Sequence, residues 1–151
     1  NRPSLRQYYN RILSGQELEY WDIKINNTCN LACRMCDKIS SSTWESIIRN
    51  HSADWDDVYT QGPATGWHQD IDDILPHLAT AKYVKFTGGE PFLIPHVKKI
   101  VDWLISEEVY VNIQELTFIT NGSVDLLGWD ERFKKFKKVN LLISVDAVGK
   151  R

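Results

Sequence analysis

Apolar positions along the chain recur at two periods, and the change from one to the other marks out the elements. Residues Tyr20 to Ile25 (YWDIKI) set Trp21, Ile23 and Ile25 against Tyr20, Asp22 and Lys24, the period of two expected of a strand with one buried face. Further strands are predicted at Tyr83 to Thr87 (YVKFT), Leu116 to Thr120 (LTFIT) and Val139 to Val145 (VNLLISV). Between them the period lengthens. From Pro95 onward Val97, Ile100, Val101, Leu104 and Ile105 recur at three and four, which predicts an amphipathic helix. Ser42-Thr43-Trp44-Glu45 fits a capping box for a short helix that passes through Ile47 and Ile48 and stops before Asn50. Asp70 to Leu78 predicts a helix that turns Ile71, Ile74, Leu75 and Leu78 inward and is bent or ended by Pro76. A last helix is expected around Asp130 to Lys137, and the polar stretch from His51 to Gly66 reads as a loop or insertion.

Strands alternating with helices at this spacing imply parallel strands joined by crossovers, in an open sheet or a barrel. The polar punctuation falls in one place. A cysteine-bearing loop, Gly88-Gly89-Glu90, Thr120-Asn121-Gly122 and Ser144-Val145-Asp146 each follow or end a predicted strand, on the face where parallel α/β folds assemble their active sites.

Composition narrows the class. The 151 residues carry 18 basic and 20 acidic groups, a net charge of −2, which gives no global attraction to nucleic-acid phosphates or anionic membranes. No run approaches the roughly 18 apolar residues of a membrane helix, and the opening NRPSLRQYYNR is charged where a signal peptide would be apolar. A soluble, cytoplasmic domain is expected. The only methionine is Met35, so the sequence is expected to be a segment of a longer protein.

The three cysteines, Cys29, Cys33 and Cys36, lie within eight residues, which is a ligand cluster or chance rather than a disulfide framework. Three thiolates can hold three irons of a cubane 4Fe-4S cluster and leave the fourth iron open to a further ligand. Zinc is the competing reading. A structural zinc site usually takes four protein ligands, and the nearest histidine, His51, lies across a predicted helix without zinc-finger spacing. A surface or packing role is expected of all four histidines.

With its C-x3-C-x2-C spacing, NNTCNLACRMC resembles the signature loop of the radical S-adenosylmethionine (radical SAM) enzymes. Together with the later FTGGEPFL, TNG and SVD it is most similar to the branch that carries a C-terminal twitch or SPASM domain, over about Trp21 to Asp146. The resemblance implies an α/β fold, a partial TIM-type (β/α)6 barrel of which about the first four strand-helix units are present. Residues 1–19 would then be an N-terminal extension and 20–151 the front portion of the core, since six units need roughly 190 residues. It implies two cofactors, a 4Fe-4S cluster on Cys29, Cys33 and Cys36 and S-adenosylmethionine. The reduced cluster would cleave S-adenosylmethionine to a 5′-deoxyadenosyl radical that abstracts hydrogen from a substrate, with a peptide or protein among the candidates. An electron donor such as flavodoxin or ferredoxin would serve it.

By the same resemblance Met35 would pack against the adenine, although as a loop residue it could equally be buried for packing alone. Gly88, Gly89 and Glu90 would hold the methionyl amino group, the glycines by letting backbone approach the ligand and Glu90 by accepting from its ammonium. Taken alone, Gly-Gly followed by Glu-Pro reads as an ordinary turn, but after a strand and behind a cysteine triad the ligand-holding reading is the stronger one. Thr120 and Ser144, and with them Asp146, would hold the carboxylate or ribose. Asn121 and Gly122 read as a turn signal. No cysteine follows Cys36, so any auxiliary cluster would lie beyond Arg151.

Two other classes compete, a metal-bound interaction or RNA-binding module on the same fold, and an enzyme of polar methyl transfer. The second leaves three clustered cysteines unexplained. Arg132, Lys134, Lys135, Lys137 and Lys138 interleave with Phe133 and Phe136 in a pattern that suits nucleic acid. Phenylalanines at i and i+3 would instead face the sheet and leave the lysines in solvent, which makes a nucleic-acid partner the weaker expectation. Trp21, Trp44 and Trp103 are expected in the core, and Trp55, Trp67 and Trp129 in loops or near helix ends, with Trp67 and His68 candidates for a cleft border.

Overall fold

The computed structural model describes residues 18–51 and 71–145. Four strands, β1 (Tyr20–Lys24), β2 (Tyr83–Thr87), β3 (Glu115–Thr120) and β4 (Val139–Ile143), form one parallel sheet in the order β1-β2-β3-β4. Each strand lies beside the next in sequence, with no reversal of strand order. That is the arrangement of a barrel wall rather than of a doubly wound sheet, and it matches the first four units of a (β/α) barrel.

The sheet's two faces differ in kind. Ile23, Val84, Phe86, Leu116 and Phe118 are buried on one face, the last four almost completely. The period of two places Tyr20, Asp22, Lys85, Thr87, Glu115, Thr117 and Asn140 on the other. That second face is held by polar contacts. Lys85 pairs with Asp22, Thr87 Oγ1 donates to Asp22 at 2.9 Å, and Asn140 Nδ2 donates to Thr117 Oγ1 at 3.4 Å.

Helix α1 (Ser42–Asn50) follows the cysteine loop, α2 (Pro95–Ser106) links β2 to β3, and a single turn, α3 (Asp130–Phe133), precedes β4. In α2, Val97, Ile100, Val101 and Leu104 are buried as the spacing predicts. Phe92, just after the Gly-Gly-Glu-Pro turn, stacks on Phe118 with ring centroids 4.9 Å apart and meets Trp129 edge-on at 5.0 Å. Full burial of a side chain of this size contributes about 1.5–3 kcal/mol, and Phe92, partly buried, gains a share of that, so the turn after β2 is anchored by its own aromatic neighbour.

Several expectations need correcting. The N-cap of α1 is Ser41, not Ser42: the Ser41 hydroxyl accepts from Trp44 N. The segment expected as an α-helix from Asp70 to Leu78 is, among described residues, a turn leading into a 3-10 helix, Leu75–Thr80. Pro76 sits in its first turn, where a missing N–H forfeits no bond, so the proline opens the helix instead of ending it. Ile71, Leu75 and Leu78 are buried all the same. The expected helix to Lys137 is helical only to Phe133, and β4 stops at Ile143 instead of Val145. Trp129 is buried, whereas Trp21 and Trp103 are only partly so. Asp70, Trp55, Trp67 and His68 lie outside the described residues.

Candidate functional site

The cysteine loop begins where β1 stops, and α1 holds it. Asn27 is buried at its entrance, with Nδ2 donating to the Lys38 carbonyl at 2.8 Å and to Glu45 Oε2 at 3.1 Å. Ser41 Oγ donates to the Leu31 carbonyl at 2.6 Å. Ser42 Oγ accepts from Cys29 N at 3.0 Å and donates to the Cys29 carbonyl at 3.1 Å, and Thr43 Oγ1 donates to that carbonyl at 2.8 Å. Trp44 Nε1 donates to the Cys33 carbonyl at 2.8 Å, which also accepts from Cys36 N at 3.0 Å. The residues read as a capping box thus have a second role, since their short polar side chains fasten the loop at Cys29 and the neighbouring indole fastens it at Cys33.

The end of β2 lies against the start of the same loop. Gly88 and Gly89 have φ of 75° and 49°, in the left-handed region that favours glycine. A Cβ on Gly89 would overlap the Thr28 carbonyl oxygen, and one on Gly88 would overlap the Lys24 side chain. Glu90 N donates to the Thr28 carbonyl at 2.7 Å. The close approach that these glycines permit is therefore between two parts of the chain.

Glu90 is 0% exposed. Its carboxylate accepts from Thr120 Oγ1 at 2.9 Å, from Asn121 N at 2.7 Å and from Phe92 N at 3.2 Å. Thr120, 5% exposed, also accepts from Gly122 N at 3.0 Å. Glu90 and Thr120 hold the ends of β2 and β3 to one another. With three donors on the Glu90 carboxylate and one on the Thr120 hydroxyl, most of the hydrogen-bonding capacity of both side chains is used within the fold.

Asn121, read from sequence as part of a turn, does more. Its Nδ2 donates to Asn30 Oδ1 at 3.0 Å and to Cys29 Sγ at 3.7 Å, while its Oδ1 accepts from Ser123 N at 2.9 Å and Ser123 Oγ at 2.6 Å. Asn30 Nδ2 donates to Ser123 Oγ at 2.8 Å and closes a ring of side chains between the cysteine loop and the end of β3. Nothing local in the sequence signals this, because the partners are some 92 residues apart.

Ser144 is exposed and bonded through its N–H to the Thr120 carbonyl at 2.8 Å, which places it at the same edge. Asp146 lies outside the described residues. Met35 is 87% exposed beside the exposed Cys36, so its side chain is not used for packing. The structure therefore brings the cysteine loop, Gly88, Gly89, Glu90, Thr120 and Ser144 to one end of the sheet.

No cysteine is in a disulfide. Among the described residues no three His, Cys, Asp or Glu side chains converge about a single point as a metal ion requires. N–H donors onto the sulfur, from Leu31 N at 3.5 Å as well as Asn121, suit a thiolate. Three of the five residues of the basic stretch are paired with carboxylates: Arg132 with Asp102, Lys134 with Glu131 and Lys138 with Glu115. Among the described residues no helix is long and apolar enough to cross a membrane.

Comparison with known proteins agrees with this arrangement. Residues 23–151 match the family model of the Radical SAM superfamily. The chain is 26% identical over 156 residues to the radical SAM cyclopropyl synthase TigE of Paramaledivibacter caminithermalis, an alignment covering 97% of this chain and 31% of that protein. The chain thus spans about a third of the length of that relative. With a parallel β/α wall, a cysteine triad at the end of its first strand and a family match over most of its length, the chain belongs to the radical SAM superfamily.

Proposed function

We propose that the protein is a radical SAM enzyme that carries a 4Fe-4S cluster on Cys29, Cys33 and Cys36 and abstracts hydrogen from a substrate. The observation that carries this reading is the three-cysteine loop itself, whose backbone is fastened at Cys29 and Cys33 by α1 and whose Cys29 sulfur is reached from the end of β3. When bound, the cluster and S-adenosylmethionine supply reductive cleavage of a carbon–sulfur bond and the hydrogen abstraction that follows.

The chain's own residues prepare the place. Cys29, Cys33 and Cys36 would hold the cluster by three irons, leaving the fourth available to S-adenosylmethionine. Gly88 and Gly89 offer backbone to the amino group, and Glu90 acts mainly by fixing that turn. Thr120 orients the end of β3, exposed Ser144 would bind the carboxylate or ribose, a role its motif also assigns to Asp146, and exposed Met35 would pack against the adenine.

In this reading residues 20–151 are the front portion of a six-unit core behind an extension at 1–19, most similar to the branch that carries a twitch or SPASM domain. The relative's name describes formation of a cyclopropyl ring, and a peptide is the substrate class proposed here, with flavodoxin or ferredoxin as electron donor. Anaerobic reconstitution with iron and sulfide tests the cluster assignment. The reading predicts about four irons per chain, lost in Cys33→Ala. Stoichiometric zinc in place of iron contradicts it.

A further inference from the structure

We infer that Asn121 is a positioning residue for the cluster, donating its side-chain amide to Cys29 Sγ and thereby raising the cluster's reduction potential. The inference rests on the cluster assignment proposed above. Asn121 reaches the sulfur at 3.7 Å from a side chain whose orientation is fixed on every side. Its backbone N–H is taken by the buried Glu90 carboxylate, its Oδ1 by Ser123, and the second hydrogen of Nδ2 by Asn30 Oδ1. An amide oriented so firmly points one N–H at the thiolate. The Leu31 backbone N–H reaches the same sulfur, at 3.5 Å.

The electrostatic consequence has a sign. Reduction adds one negative charge to the cluster and its thiolates, and an N–H dipole pointed at a ligand sulfur stabilises the more negative state. Removing the donor makes the cluster harder to reduce. The ring of Asn30, Ser123 and Asn121 separates this effect from simple loosening: Ser123→Ala breaks two of the ring's bonds but leaves the Asn121 donor and its Asn30 partner in place.

The test is a potentiometric titration of the reconstituted protein, followed by electron paramagnetic resonance, in wild type, Asn121→Ala and Ser123→Ala. Asn121→Ala removes the donor without adding charge. It is expected to lower the ratio of reduced to oxidised cluster about tenfold at fixed potential, a downward shift of about 59 mV for one electron, while Ser123→Ala stays at the wild-type value. No shift in Asn121→Ala, or an equal shift in Ser123→Ala, overturns the inference. If Asn121→Ala does not retain a cluster, wild-type protein labelled with 15N-asparagine decides the matter. A hyperfine coupling between a side-chain 15N and the reduced cluster supports the contact, and its absence overturns it. Wild type that takes up no 4Fe-4S cluster overturns the proposed function and this inference together, whereas a loaded wild type with an unshifted variant overturns the inference alone.

Discussion

The carboxylate of Glu90 and the hydroxyl of Thr120 meet at 2.9 Å in a site closed to solvent, joining the ends of two adjacent strands. A buried carboxylate is tolerated there because three donors surround it: Thr120 Oγ1 and the N–H groups of Asn121 and Phe92. Glu90→Ala leaves those donors without their acceptor and is expected to destabilise the fold by about 3 kcal/mol. Thr120→Val should cost about 1–3 kcal/mol, since it deprives Glu90 of one donor and Gly122 N of its acceptor. Urea unfolding measures both, and values within a few tenths of wild type would show that the contact does not hold the strand ends.

Gly89 and Gly128 both have positive φ, 49° and 83°, yet their surroundings differ. Gly128→Ala meets nothing within 4 Å and should cost only the left-handed penalty of about 1–2 kcal/mol. Gly89→Ala adds a clash with the Thr28 carbonyl, which the cysteine loop can relieve only by moving. Iron retained after reconstitution and gel filtration is expected to fall in Gly89→Ala and to stay at the wild-type level in Gly128→Ala. Equal retention would contradict the docking of β2's end on that loop.

Most of the architecture was legible because it follows local periods. Alternation placed all four strands to within two residues, and the spacing from Val97 to Leu104 found α2 and its buried face. What escaped depends on partners distant in sequence. Three consecutive serines, Ser40 to Ser42, lead into α1, and only the folded contacts assign Ser41 to the cap and Ser42 to Cys29. Trp129 stands at a helix end as its position suggests, directly before α3, but its burial by edge-on packing against Phe92 and Phe118 had no local signal. The cysteine triad and the Gly88-Gly89-Glu90 turn were visible as motifs, whereas the inward turn of Glu90 and the reach of Asn121 to Cys29 were not, since each depends on a strand end brought in by the sheet.

Trp44 offers a milder perturbation of the loop. Trp44→Phe keeps an aromatic ring but loses the Nε1 donor to the Cys33 carbonyl, a loss of about 0.5–1.5 kcal/mol. The carbonyl retains Cys36 N as a donor, so the loop should persist. Faster removal of iron by a chelator, with little change in unfolding midpoint, is the expected pattern. An unchanged rate would mean that this bond does not brace the loop.

Asp102 supplies a pH test of the packing between α2 and α3. Burial acts to raise its carboxyl, but hydrogen bonds from Arg132 and Lys98 outweigh that and hold it below the ordinary 3.8. Because the folded value is the lower one, its stabilising contribution is present above pH 3.8 and is lost as pH falls from there through the folded value. The side chain is 41% exposed, so solvent screening limits the contribution to no more than about 1 kcal/mol. In acid titrations followed by circular dichroism, Asp102→Asn should lose this part of the stability slope below pH 3.8. An identical slope in the variant would show that Asp102 does not tie α3 to α2.

If the braced cysteine loop holds a cluster with one iron open to S-adenosylmethionine, adding that cofactor must change the cluster's magnetic surroundings. The electron paramagnetic resonance spectrum of the reduced, reconstituted protein, recorded with and without S-adenosylmethionine, is the decisive measurement. The expected result is a 4Fe-4S signal that changes when S-adenosylmethionine is added, together with release of 5′-deoxyadenosine under dithionite. A signal indifferent to S-adenosylmethionine, with no 5′-deoxyadenosine formed, would contradict an open iron on this loop.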